Sequence, residues 1–447
     1  MRLTTDNLKP VCYLLLLAMP AAQLAFAQQT DETPAESLET EATAAPAPVA
    51  NWLETRILIE ELYENGDFEA AAELFEQLVE LAQAQFGEDS EEVAEAHLLI
   101  AQVQRRNGEF TAAETSILAA IAVNEAREGT LSAALIDPYM ELGDNYFEAG
   151  DFGASISAYT EARSIGRRNY GLLNQGQIEI IDAMSAASDE LGQLEESQQL
   201  QLEALTLIER TYSETSVEAI EARYKYAAWL RRHRSYDEER RIYFEIQRMI
   251  QRQHNDDPLM LVRAFRARAE SFRDEDNGDA LGISGLRESV DLLEALEDPP
   301  ALLLAEVYVD IGDWNLEFQR AGTTGEEYLV AWDWLGRTAN AAALRSEWFD
   351  ELIVVEMDPV SSRGLSNDPN DPAGFVEIHF TVDTGGRPRD IEITDSHPAG
   401  LKDAAFLRQY REARFRPRIV NGEFVPIRRA RRNEFRYIPL DSENGAN

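Results

Sequence analysis

Residues 142–162 read LGDNYFEAGDFGASISAYTEA, and the middle of that stretch recurs along the chain. Gly150-Asp151-Phe152 has counterparts in Gly66-Asp67-Phe68, Gly108-Glu109-Phe110, Gly192-Gln193-Leu194 and Arg234-Ser235-Tyr236, each 42 residues from the next. A second mark keeps the step: Phe86-Gly87, Glu128-Gly129, Tyr170-Gly171, Tyr212-Ser213 and His254-Asn255. A fixed period of this length means a stacked array, in which each unit buries its apolar face only against its neighbours. Between the marks good helix formers dominate, and apolar residues recur at helical spacing, as at Ala71, Leu74, Phe75, Leu78 and Leu81. Each Gly-x-aromatic mark therefore falls where one helix stops and the next begins. From Asn51 to about Arg345 there are 295 residues, close to seven units of 42. Such an array offers a surface rather than a catalytic pocket.

Packing explains the residues inside a unit. Gly143 lets the two helices approach closely, Tyr146 and Phe152 fill the gap between them, and Ala162 admits the next unit. Leu142-Gly143-x-x-Tyr146, Gly150-x-Phe152 and Tyr159-x-x-Ala162 resemble the tetratricopeptide repeat (TPR) in its 42-residue, kinesin-light-chain-like form. The resemblance implies a right-handed helical solenoid of about seven helix-pair units. Units one and two match at Gly66, Phe68, Ala71 and Phe75, and at Gly108, Phe110, Ala113 and Ala120. Units four and five carry Ser185 and Ala227 where the first-helix glycine belongs. After residue 255 the register loosens: Gly278-Asp279-Ala280 stands two residues late, and Gly312-Asp313-Trp314 with Tyr328-x-x-Ala331 reads as a degenerate last unit. Trp332, Trp334 and Trp348 are expected to close the apolar end. In this family the first helix of each unit lines a concave groove. That placement implies partner contacts from Arg56, Glu60, Tyr63, Leu98, Gln102, Arg105, Asp144, Phe147, Asp189, Tyr224 and Arg231, with Asp137, Met140 and Asp182 beside them. Acids, arginines and aromatics in one groove suit an extended or helical peptide.

The chain opens with Arg2 and Lys9, an apolar run from Val11 to Met19, and Ala25-Phe26-Ala27 before Gln28. This is the layout of a cleaved secretory signal over residues 1–27 and implies a periplasmic protein. The alternative is an uncleaved anchor, although 17 residues broken by Pro20 and Gln23 fall short of the ~20 a spanning helix needs. The single cysteine, Cys12, lies inside that signal, so the mature chain has no thiol. Residues 28–50, rich in Ala, Pro, Thr and Glu, read as a disordered linker. No other stretch approaches spanning length, so the mature chain is expected not to span a membrane.

Residues 353–373 change texture to Pro, Ser, Asn and Asp, an expected linker. Then the apolar period becomes two, with Val376, Ile378, Phe380 and Val382 on one face, and a small α+β domain over 374–440 follows. Phe380-Thr381-Val382-Asp383, Gly386-x-Pro388-x-Asp390-Ile391, Ala404-Ala405, Phe415-Arg416-Pro417 and Asn421-Gly422 resemble the TonB C-terminal domain. Ala413 replaces the usual tryptophan, and the Tyr-Pro of energy transducers has no equivalent. The resemblance implies an envelope partner, with an outer-membrane receptor as the family's example, added as a strand at the edge of the last strand. Arg428, Arg429, Arg431 and Arg432 sit on that strand as edge guards, as a site for an acidic partner, or as a dock for the chain's own acidic array. Arg408, Arg411 and Arg414 extend the basic side.

The formal charge is −41, and residues 371–440 hold 13 basic against 10 acidic residues, +3, leaving −44 elsewhere. That balance excludes a general nucleic-acid binder. The five histidines show no metal spacing, there is no Gly-x-Ser-x-Gly, and none of the three lysines follows a phosphate loop. The expectation is a non-enzymatic adaptor without cofactor or metal. A membrane-anchored relative of the TonB energy transducers is the other reading.

Overall fold

The computed structural model describes residues 51–254, 257–318 and 325–438, so the expected signal and the 28–50 linker lie outside the described residues. Among the described residues, sixteen α-helices lie between positions 52 and 349. They run as pairs: α1 (Trp52–Asn65) with α2 (Phe68–Ala72) and α3 (Phe75–Phe86), α4 (Glu91–Arg106) with α5 (Phe110–Glu128), and α6 (Ile136–Glu148) with α7 (Phe152–Tyr170). The next are α8 (Gly176–Glu190) with α9 (Leu194–Tyr212), and α10 (Val217–Arg232) with α11 (Tyr236–Gln253). The series ends with α12 (Pro258–Asp274) and α13 (Ala280–Glu294), α14 (Ala301–Phe318) and α15 (Glu326–Leu335), then a single α16 (Ala341–Phe349).

The 42-residue marks are backbone marks. Gly66, Gly108, Gly150 and Gly192 have φ between +73° and +82°, and Arg234 follows at +56°. In each turn the next two amides return to the helix just ended, as where Gly108 N–H donates to Arg105 and Glu109 N–H to Gln104, at 2.9 and 2.8 Å. This left-handed cap satisfies carbonyls that a helix end leaves open. The sixth unit corrects the expected slip. Its left-handed residue is Asp276 at +57°, again 42 after Arg234, with Asp276 N–H on Arg273 and Asn277 N–H on Phe272. Only the start of α13 is late, at Ala280. Asp tolerates this conformation because its short polar side chain bonds locally, so no glycine marks the turn. Gly312 is likewise not a turn residue: it lies inside α14. A Cβ there would meet the Tyr328 ring at 2.6 Å, just as one on Gly143 would meet Tyr159 at 2.2 Å.

The outer face of the first unit mixes acids with exposed apolar residues, Leu53, Ile57 and Leu58. At the 42-residue step, Asn51, Glu54, Leu58 and Glu61 correspond to Val93, Ala96, Ile100 and Val103, all buried against unit one, yet Glu54 and Glu61 are exposed and Leu58 is 44% exposed. Polar substitution of this kind is how a repeat array ends in water.

The other end is closed by the C-terminal module. Its four-stranded sheet has the order β2 (Leu365–Ser366), β8 (Ile427–Tyr437), β3 (Ala373–Val382) and β4 (Pro388–His397), with α17 (Asp403–Glu412) packed beneath. Val376, Ile378, Phe380 and Val382 face Phe406, Tyr410 and Phe415, as the two-residue period requires. The expected linker is built into the module. Its β1 (Val354–Glu356) pairs with β5 (Arg414–Phe415), and its β2 pairs with the end of β8. A short hairpin of β6 (Ile419–Val420) and β7 (Glu423–Phe424) places Ile419 and Phe424 in one apolar cluster with Tyr328, Ala331, Leu335 and Phe349. Trp332, Trp334 and Trp348 pack round the same cluster.

Candidate functional site

The residues expected to line the groove come together on the first helices, and most of the charged ones hold neighbouring units to each other. Arg56 binds Glu60 at 3.0 Å and, in the next unit, Glu95 at 3.0 Å. Gln102 donates to Glu141 at 2.8 Å. Arg105, its side chain 15% exposed, reaches Glu141 at 3.0 Å, Glu148 at 2.7 Å and Asp144 at 3.9 Å. Asp144 also accepts the Tyr159 hydroxyl at 2.6 Å. Burial, and then that carboxylate, push the Tyr159 hydroxyl above the ordinary tyrosine range. Asp182 pairs with Lys225, and Asp189 accepts from Trp229 and His233 at 3.3 and 3.2 Å.

Arg231 binds Glu239 at 2.7 Å, Glu270 at 2.6 Å and the Ala267 carbonyl at 3.0 Å. Burial alone would lower its pKa; Glu270 and the neighbouring acids more than reverse this and raise it. The ladder continues through Arg266 to Asp310 and Glu306 at 2.7 and 2.6 Å. The more exposed of these pairs, such as Arg56 with Glu95, contribute little singly, ~0–1 kcal/mol. Their effect is to set the angle between units and to occupy polar groups that a ligand would otherwise use. The apolar members serve packing. Tyr63 lies against Phe68 and Phe147 against Phe152, with ring centroids 6.2 and 5.3 Å apart. Leu98 joins the cluster of Ile117 and Leu142. The Arg263 guanidinium stands 3.9 Å over the Tyr224 ring.

Sequence reasoning passed over one junction. Arg416, in the Phe-Arg-Pro motif, donates to both oxygens of Asp313 on α14 at 3.2 and 2.9 Å and to the Trp348 carbonyl at 3.3 Å. Asp313 also accepts the Tyr328 hydroxyl at 2.8 Å. Module and array are thus joined by a buried ion pair as well as by the hairpin's apolar residues. Repeat signatures flag Gly312 and Tyr328, but nothing in the one-dimensional pattern joins Asp313 to a residue 103 positions on.

The basic run of the last strand does not form one patch. Successive strand residues face opposite sides, so Arg428 and Arg432 lie on the outer sheet face, where Arg428 binds Glu392 at 2.7 Å and Arg432 stands 3.5 Å over Phe375. Arg429 and Arg431 lie on the other face, and Arg429 donates to the Asp350 carbonyl at the end of the array. Arg414 lies in β5 rather than on the helix with Arg408 and Arg411, and turns back to the end of α17, on the Glu412 and Ala413 carbonyls at 2.7 and 2.9 Å. β8 pairs with β3 along its whole length, from Ile427 with Val382 to Arg436 with Ala373. On its other side β2 covers only Arg436 and Tyr437. Among the described residues, the edge from Ile427 to Phe435 has no strand beside it.

Among the described residues no three His, Cys, Asp or Glu side chains are grouped to hold a metal, and no helix is long and apolar enough to cross a membrane. No curated protein matches the chain. Solved structures of similar shape include the C-terminal part of a TPR repeat-containing protein from Cytophaga hutchinsonii, 10% identical over 64% of this chain and 98% of that one, with a TM-score of 0.40. BtubC (BKLC) from P. vanneervenii is 15% identical over 56% of this chain and 95% of that one, TM-score 0.37. The apo form of RapI is 13% identical over 66% and 77%, TM-score 0.40. Residues 58–126 match the tetratricopeptide repeat family, whose repeats are protein-interaction modules.

Proposed function

We propose that the chain is a non-enzymatic adaptor of the periplasm with two interaction surfaces. The tetratricopeptide array holds a protein or peptide, and the TonB-C-like module takes a strand from a second, envelope-borne partner. The observation that carries this reading is the bare β8 edge. Along the nine residues Ile427–Phe435, alternate residues offer main-chain groups on the side away from β3, in a module otherwise packed closely. An unpaired edge of that length is a template for another strand, and charged side chains along it restrict which strand is admitted. The order β3-β4-α17-β8 and the Phe415-Arg416-Pro417 motif support the TonB-C likeness. Gly386 and Phe415, two of the motif residues, meet directly: the Phe415 N–H donates to the Gly386 carbonyl at 2.9 Å.

Recovering the tagged, intact chain from an osmotic-shock fraction tests the proposal. The expected result is a mature chain beginning at Gln28 that brings down at least one envelope protein. A chain confined to the cytoplasm, or one recovered alone after mild cross-linking, overturns it.

A further inference from the structure

Unit four lacks a side chain that unit three has. Four residues before each turn, the first helix carries Leu62, Gln104, Tyr146, Ser188, Leu230 and Phe272 in successive units. In unit three the Tyr146 ring spans to α5, where its hydroxyl donates to Glu114 at 2.7 Å. One period on, the tyrosine has become Ser188 and the acceptor Glu114 has become Ile156. The aromatic that opens the second helix is lost in the same unit: Phe68, Phe110, Phe152 and Tyr236 have Leu194 as their counterpart, 46% exposed. A cavity of about 720 Å³ opens at this point between α7, α8 and α9, walled by Ile156, Met184, Ser188, Leu194 and Leu200. That falls within the range of ligand clefts, ~300–1,000 Å³. Glu195 and Glu196 stand exposed on its wall, with no ion-pair partner among the described residues.

We propose that unit four is a docking site for the aromatic side chain of a partner segment that carries arginine or lysine beside the ring. This rests on the adaptor reading and narrows it to one unit and one chemistry. The cavity lies where the preceding unit keeps its own ring. Ile156 in place of the hydroxyl acceptor selects a ring without a hydroxyl, and the Met184 thioether favours an aromatic neighbour. The two free carboxylates, on an array that is strongly acidic, select a basic flank. Residues 28–50 and 439–447 contain no aromatic, so these two segments of the chain do not supply one.

The test is calorimetric titration of the intact chain with a capped Gly-Arg-Phe-Arg-Gly peptide, against Gly-Arg-Ala-Arg-Gly and Gly-Asp-Phe-Asp-Gly. The expected result is at least ten-fold tighter binding of the first peptide. Ser188→Leu, which installs the residue of units one and five, weakens that binding at least ten-fold. Leu194→Phe, filling the space from α9, does the same, and the double change Glu195→Gln, Glu196→Gln removes the preference for arginine over aspartate. No measurable binding, equal binding of the Phe and Ala peptides, or undiminished binding to both filled variants overturns the proposal. Recovery of an envelope partner by the intact chain is read separately, so the adaptor reading stands or falls on its own result.

Discussion

Replacing Arg416 by methionine tests whether array and module are one cooperative structure. The change removes the cation and keeps most of the aliphatic volume. Arg416 and Asp313 have side chains only 11% and 10% exposed, and the remaining cation near Asp313, Arg273, is 3.8 Å away and already bound to Glu317 at 2.8 Å. Breaking a buried pair from one side leaves an uncompensated charge, at ~3–5 kcal/mol. Arg416→Met should therefore destabilise the junction by about that much. At ~1.4 kcal/mol per factor of ten, amides of α14 and of the 414–424 segment should exchange roughly 10²- to 4 × 10³-fold faster. Exchange measured residue by residue is the suitable assay, because a repeat array does not unfold as one two-state body. Adding Asp313→Asn should recover most of the loss, since the amide can still accept the Tyr328 hydroxyl without carrying charge. A change below about 1 kcal/mol, under ten-fold in exchange, would refute the reasoning and leave the hairpin's apolar residues as the whole joint.

Three further outcomes follow from the array. Arg234 holds a left-handed conformation that four glycines hold elsewhere, so Arg234→Gly should stabilise unit five by ~0.5–1 kcal/mol and Gly108→Ala should cost unit two about 1 kcal/mol, read from amide exchange in those units. Gly143→Ala drives a Cβ to within 2.2 Å of the Tyr159 ring and should cost ~1–3 kcal/mol, partly recovered by Tyr159→Leu. Burial raises the pKa of Asp310, with Arg266 only partly offsetting it. The folded chain then keeps a proton that the unfolded chain releases, so stability falls as pH rises from the ordinary carboxylate range through the folded value. Acidifying from neutral toward that range should raise Tm, and Asp310→Asn should flatten the rise. Relief of the general acidic repulsion has the same sign, so the difference between the two chains isolates Asp310.

The helical array was legible because its period is written in backbone geometry. A left-handed residue is needed once per turn, and glycine supplies it in four of the first five turns. The sixth turn hid for the converse reason: Asp276 adopts the conformation without the glycine that advertises it, and Gly278 two residues later drew the reading off register. Gly312 misled in the same way, since a glycine required for close packing against Tyr328 looks in one dimension like a glycine required for a turn. The strands β1 and β2, three and two residues long, are too short to show a period of two. The residues expected in the groove lie on the first helices of their units, but most of the charged or polar partners that hold them lie 36 to 44 positions away in a neighbouring unit. Spacing alone says which face a side chain occupies and not whether a neighbour already holds it. The cavity of unit four was visible only as missing signature residues. Its meaning came from seeing what Tyr146 and Glu114 do one unit earlier.

Photo-cross-linking in cells, with the cross-linker placed in turn at Ala430 on the β8 edge and at Gln199 beside the unit-four cavity, tests the two-surface adaptor most directly. The account predicts adducts at both positions with two different proteins, the one at Ala430 belonging to the envelope. Adducts with a single shared protein, or none at Ala430, would contradict it.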